Sequence, residues 1–181
     1  QSLQNDLTNF LKDRFRYYLK EKNIRHDIIE ATINKFDCNK ISSSFEKAQS
    51  LNGVIFKEIG NDIVSSDKRA FNILSSEITS IDYVLSNTTN PSIFKTDYEK
   101  NLYKKVNELK KYFSGIDKDE NFDETLMILS STKKEIFDFF DNVKVNDESD
   151  FVKKNRLELI NILCRTFEHF INFRLIKGMN E

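Results

Sequence analysis

A chain of 181 residues that holds one proline and four glycines has few places to turn. Folds built from many short strands need a turn signal about every 8–12 residues, supplied mostly by Gly, Pro and Asn-Gly pairs. Such signals are too scarce here for strands and hairpins, so the chain is restricted to long elements with few connections. Its 31% charged residues and 16 phenylalanines suit helices with one wet and one buried face. The expected fold class is all-α, a multi-helix bundle.

The apolar spacing locates the helices. Leu7, Phe10, Leu11, Phe15, Tyr18 and Leu19 form a stripe along a first helix predicted over residues 3–22. A shorter helix follows Asp27 with Ile28, Ile29, Ile33 and Phe36. Ser43 and Glu46 have capping-box spacing and are expected to open a third, carrying Phe45, Ala48, Leu51 and Ile55. Gly53 weakens that helix without ending it. Ser66 is the expected cap of the next, SDKRAFNILSSEITSI. The NTTNPS stretch around Pro91 is the clearest loop. The chain is predicted to be one domain over residues 1–181, divisible at this loop into lobes 1–90 and 91–181. Beyond the loop, Tyr98, Leu102, Leu109, Tyr112 and Phe113 line a helix ending near Ser114-Gly115. IDKDENFDE reads as an acidic connector, followed by helices predicted over 123–142 and 148–175.

Charge and reactive residues narrow the function. With 28 basic and 29 acidic side chains, the chain lacks the basic excess of a general nucleic-acid binder, and no DNA partner is expected. No apolar run approaches the roughly 20 residues of a membrane span. Cys38 and Cys164 fit no CxxC or zinc spacing and read as reduced thiols, so a soluble, cytoplasmic protein is expected. The first residue is Gln rather than Met, as expected for a piece of something longer. His26-Asp27 superficially matches the HD dipeptide of metal phosphohydrolases, but the chain has only one other histidine, His169, to complete such a site. Neither cysteine has an oxyanion motif nearby, and four scattered glycines build no phosphate cradle. No catalytic or metal-binding residue is assigned, and no cofactor is expected for this piece.

EIFDFFDNVKVN at 135–146 places Ile136, Phe139, Phe140 and Val143 on one helical face, with Phe137 beside them. Asn142 suits a helix end, Val143 and Val145 alternate as an extended link, and Asp147 is the expected cap of the final helix. Taken together with the residues C-terminal to it, the stretch FFDNVKVNDESDFVKKNRLELINIL resembles the C-terminal signature of the bacterial glycyl-tRNA synthetase beta chain: an FFD-x-V-x-V corner, an acidic link and an N-R-L helix. FLKDRFRYYLKEKNIRHDIIEATI at 10–33 resembles that family's opening helix pair, and DKRAFNIL at 67–74 its K-R-x-x-N-I-L segment. The resemblance implies the helical anticodon-binding (DALR-like) region shared with arginyl-type class I synthetases. It implies a partner, the anticodon arm of glycine tRNA, and an assembly with the synthetase alpha chain, which would carry aminoacylation with ATP and magnesium.

Six residues are candidates for contact with tRNA. Lys68, Arg69 and Asn72, with Ser76, project away from Ala70, Leu74 and Ile78 on one helix. Arg14 and Arg16, with Lys20, Tyr17 and Tyr18, form a second basic-aromatic group. Arg156 shares a face with Ile160, Leu163 and Phe167, so burial is expected. It either pairs with Asp141 or Asp138 or contacts RNA. An alternative for the whole chain is a helical protein-protein docking module without RNA contact.

Overall fold

The computed structural model describes residues 2–78, 85–115 and 121–178. Among them lie eight helices: α1 (Ser2–Glu21), α2 (His26–Asn34), α3 (Ile41–Val54), α4 (Glu58–Ile78), α5 (Asp97–Gly115), α6 (Phe122–Ser130), α7 (Lys133–Asn142) and α8 (Asp150–Glu168). Single 3-10 turns at Pro91–Ile93 and Phe173–Leu175 complete the order. The described residues contain no strand, so the fold is the all-α one expected.

Helix α8 is the axis of the bundle. Twelve of its nineteen residues are buried, too many for a surface helix with a single apolar stripe. It packs on α4 and α5, while α7 closes against both of those and α6 lies on α3 and α4. The core is one cluster, joining Leu19, Ile28 and Leu51 to Leu102, Leu126, Phe139 and Leu163. Helix α1 ends in a Schellman motif. Asn23 takes a left-handed φ of 57°, and the Ile24 N–H donates to Leu19 O at 3.2 Å while the Asn23 N–H donates to Lys20 O at 3.0 Å. Leu19 and Ile24 are both buried at this end, which fixes the angle at which the chain turns into α2.

Four predicted boundaries are corrected. Helix α3 opens at Ile41 with Lys40 at its N-cap, so Ser43 lies inside it and caps nothing. Helix α4 begins at Glu58, eight residues before Ser66, which is wholly buried mid-helix. The helix expected over 123–142 is two, broken where the buried Thr132 Oγ1 donates back to Leu129 O at 2.6 Å. The helix expected over 148–175 ends at Glu168, then turns back through Phe170, Ile171 and Phe173 to plug the bundle end. Asp147 is not its N-cap. That position is Ser149, whose N–H donates to Asp147 Oδ1 at 3.0 Å. The predicted stripe on α1 is half right: Phe15 and Leu19 are buried, whereas Leu7, Phe10 and Tyr18 are exposed. Residues 116–120 of the acidic connector and 79–81 of the SDKRAFNILSSEITSI segment lie outside the described residues.

Gly60 decides how α3 meets α4. A Cβ there would overlap Val54 O and Ile55 Cα, so the first turn of α4 lies directly on the backbone that ends α3. Only glycine permits this approach.

Candidate functional site

Arg156 shows how the fold uses its buried charges. Its side chain is 5% exposed, and its Nε donates to Glu99 Oε1 at 2.7 Å. Its Nη1 donates to Asp147 Oδ2 at 2.9 Å and to Lys144 O at 2.8 Å. The partners are therefore Glu99 on α5 and Asp147 in the corner before α8, which corrects the expected pairing with Asp141 or Asp138. Glu99 has a second task. Its Oε2 accepts the Thr96 and Lys95 N–H groups at 2.7 and 2.8 Å, while its own N–H donates to Thr96 Oγ1 at 3.3 Å. This is a capping box at the start of α5. Burial pushes the Glu99 carboxyl up, but Arg156 and Thr96 outweigh it and hold it below the usual range. The Ser149 N–H and Lys95 bring Asp147 down to about 2.

The 86–90 segment is tied to the same helix. Glu158 accepts the N–H groups of Ser86 and Asn87 at 2.6 and 2.7 Å. Asn155 Oδ1 accepts the Asn90 N–H at 2.7 Å and its Nδ2 donates to Asn90 O at 3.1 Å. Asn87 stands at a φ of 60°, a left-handed conformation that asparagine tolerates.

On α4, Lys68 and Arg69 are half-buried and Asn72 is exposed. Arg69 donates from Nη2 to Asp141 Oδ1 at 2.5 Å and lies over the rings of Phe137 and Phe140, 4.6 and 5.5 Å from their centres. Its guanidinium thus joins α4 to α7, beside a second tie from Lys133 to Asp62 at 2.6 Å. Asn72 makes no side-chain hydrogen bond among the described residues. On α1, Arg16 bridges to Glu30 of α2 at 2.8 Å and to Asp13 at 2.7 Å. The Glu30 hydrogen bond raises the pKa of Arg16 above its ordinary value. Arg14 is exposed and lies over Phe10, 5.2 Å from the ring centre. The fold therefore sorts the six candidates: Arg156, Arg69 and Arg16 hold elements together, Asn72 and Arg14 face outward, and Lys68 stands between.

His26 opens α2 and is exposed. Burial raises the pKa of Asp27, but hydrogen bonds from Arg25 and from the Lys177 N–H prevail and lower it, so this carboxylate anchors the chain end to α2. Among the described residues no three His, Cys, Asp or Glu side chains are grouped to hold a metal ion, and no helix is long and apolar enough to cross a membrane. Cys164 is buried, which pushes its thiol pKa up and makes it a poor nucleophile.

Sequence reasoning missed Glu99, although Thr96-x-x-Glu99 carried the capping signature. It also missed a small pocket. Lys40 and Ser43 at the start of α3, Lys47 one turn on, Phe113 near the end of α5, and His169 and Phe170 after α8 line a cavity of about 210 Å³.

The bundle's architecture agrees with its sequence family: the chain belongs to the DALR anticodon binding domain family, whose model matches residues 66–178. Over nearly its whole length it is also similar to glycine--tRNA ligase beta subunits. That of Rickettsia typhi is 29% identical over 91% of this chain and 23% of the relative. That of Rickettsia africae is 29% identical over 94% and 24%, and that of Dinoroseobacter shibae 27% over 97% and 24%. The chain spans about a quarter of the length of these curated relatives.

Proposed function

We propose that this chain is the tRNA-binding module of a glycyl-tRNA synthetase beta chain and recognises the anticodon arm of glycine tRNA. It would act within an assembly whose alpha chain carries aminoacylation with ATP and magnesium. The observation that carries the reading is the match to the anticodon binding domain from α4 to the turn after α8, with Asn72 exposed on that first helix. Glycine codons begin with two guanines, so every glycine anticodon ends in two cytosines. An asparagine amide offers a donor and an acceptor side by side, which suits cytosine's amino group and its neighbouring acceptors. Lys68 and Arg14 supply charge toward phosphates, a role that positions without specifying. The test is binding of this chain to glycine tRNA with native and cytosine-substituted anticodons. Asn72→Ala should weaken the native tRNA by about 1–3 kcal/mol, as for a good bidentate base contact, and narrow the gap between the two. An unchanged gap, with a normal melting curve, would remove Asn72 from the site.

A second reading has its own observation. Leu3, Leu7, Phe10 and Tyr17 are 81, 58, 54 and 62% exposed along one side of α1. An apolar stripe of that length suits protein docking better than RNA. In that reading α1 faces another part of the synthetase, and substitutions there would leave tRNA binding unchanged.

A further inference from the structure

Helix α1 is held from one side. It packs chiefly on the nine-residue α2, with Phe15 and Leu19 buried between them and the core. Its outer side carries Leu3, Leu7, Phe10, Arg14 and Tyr17, all exposed. Their spacing is 4, 3, 4 and 3 residues. That alternation averages about 3.5, the period at which one helix seats its knobs in the holes of another. One flank of the row stays apolar, because Leu11 and Tyr18 lead into a groove shared with Ile41 and Phe45 of α3. The Tyr18 and Phe45 rings meet there edge to face, 5.4 Å between centres. The other flank carries Asp6 and Asp13, both exposed, with Asp13 tied to Arg16. Arg14 stands in the row itself, and among the described residues its cation meets the ring of Phe10.

We infer that this row seats an amphipathic helix from another part of the same beta chain. Its apolar residues lie against Leu3, Leu7, Phe10 and Tyr17, a carboxylate beside Arg14 and a basic residue beside Asp6. The inference deepens the docking reading of α1 and rests on it, and it leaves the α4 face open to tRNA. The row is too small for a free partner. At about 1.5 Å per residue it forms a strip roughly 21 Å long and about 10 Å wide. That is a few hundred Å² at most, against the roughly 800 Å² that each side of a stable complex buries. A tethered helix needs less area, because the linkage supplies an effective concentration of about millimolar. The relatives have chain to provide it, since this sequence spans about a quarter of their length. The likeness to the Dinoroseobacter shibae subunit covers 97% of this sequence and so takes in most of α1, whereas the anticodon binding domain match starts at residue 66. Helix α1 therefore goes with beta subunits rather than with the binding domain. Charge disfavours a second copy as occupant. Parallel pairing would stack Arg14 on its counterpart, and the antiparallel register that covers Leu3 would bring Asp6 beside Asp13 of the copy.

The test uses the full beta chain that contains this sequence, with a photoreactive benzophenone side chain in place of Tyr17. Mixing isotopically light and heavy chains before photolysis separates links within a chain from links between chains. The expected result is a link within one chain, to a segment outside residues 1–181 whose apolar residues recur at the same alternating spacing. Leu7→Glu combined with Phe10→Glu should cut the yield about tenfold or more, as for loss of interface anchors. Both side chains are exposed, so the same pair should leave the melting temperature of the 181-residue chain unchanged. A lowered melting temperature would show that the row belongs to the bundle's own core and overturns the proposal. A light-to-heavy link, or a link to a different subunit, overturns the same-chain occupant and leaves the docking reading standing. A link to a same-chain segment without the alternating spacing overturns the helix. A link to tRNA, or to no polypeptide, overturns both the proposal and the docking reading.

Discussion

Glu99 and Asp67 are both carboxylates buried against α8, and the bundle treats them in opposite ways. Glu99 is 1% exposed and meets Arg156, two backbone N–H groups and the Thr96 hydroxyl. Asp67 is 3% exposed, yet its Oδ2 and the neighbouring Ser66 Oγ have no hydrogen-bond partner among the described residues. The groups nearest in charge are Arg174, Glu168 and the Cys164 thiol. Arg174 is drawn off to Glu168 at 3.1 Å and over the ring of Phe71. One carboxyl therefore stays ionised below the usual range, while burial pushes the other up to about 6. Burial alone does not decide a charge; the donors that accompany it inside do.

The largest effect should come from breaking the satisfied site. Arg156→Ala leaves Glu99 buried without its cation and should cost roughly 3–5 kcal/mol in a urea melt at neutral pH. A loss below about 1 kcal/mol would show that water enters and that the junction is not truly buried. The unsatisfied site should respond next. The folded pKa of Asp67 lies above the ordinary 3.8, so the protonated form favours the fold. That stabilisation is complete below about pH 4 and is lost as pH rises through about 6, a swing of roughly 2–3 kcal/mol. Asp67→Asn should therefore stabilise the protein at pH 7.5 and change little at pH 4. Parallel pH profiles for the two proteins would show that Asp67 finds a partner in solution. The smallest effect belongs to a half-exposed pair. Asp141→Asn, which removes the anion from Arg69, should cost under about 1 kcal/mol, because exposed ion pairs contribute little and Phe137 and Phe140 still hold the guanidinium. A larger loss on calorimetry would place this tie with the Glu99 junction.

These contrasts mark what could be read in advance. The ends of α1 and α5 follow from local signals, the apolar stripe and Gly115, and both fall within a residue or two of expectation. Arg156 was legible as buried because a charge on an apolar face has nowhere else to go. Its partner was not, because Glu99 is 57 residues away and only the packing of α5 on α8 brings it there. Three Ser/Thr-x-x-Glu patterns compete in the sequence; Thr132 stands at the N-cap of α7 without a side-chain cap bond, and the pattern at Ser43 misleads. In the fold Lys40 precedes that helix instead, whereas Thr96 and Glu99 close the true box. The start of α4 was hidden because Gly60 and the polar residues around it look like a loop. They are helical because α3 lies against them. On the candidate face, projection alone grouped Lys68, Arg69 and Asn72. It carried no sign that α7 would supply two rings and a carboxylate to claim Arg69.

Gly60 bears on how freely this molecule can vary. Most surface positions of a helical bundle accept many side chains, but here a single methyl group would act as a wedge between α3 and α4. The helices before that corner would have to shift with it, although α3 also packs on α6 and α2 on the turn at Phe173–Leu175. Two candidate surfaces lie on opposite sides of that corner, Asn72 on α4 and the exposed apolar side of α1. Their spacing is thus calibrated by an absent atom, and a Gly60→Ala chain that still folds would be a gauge of whether binding at one depends on the other.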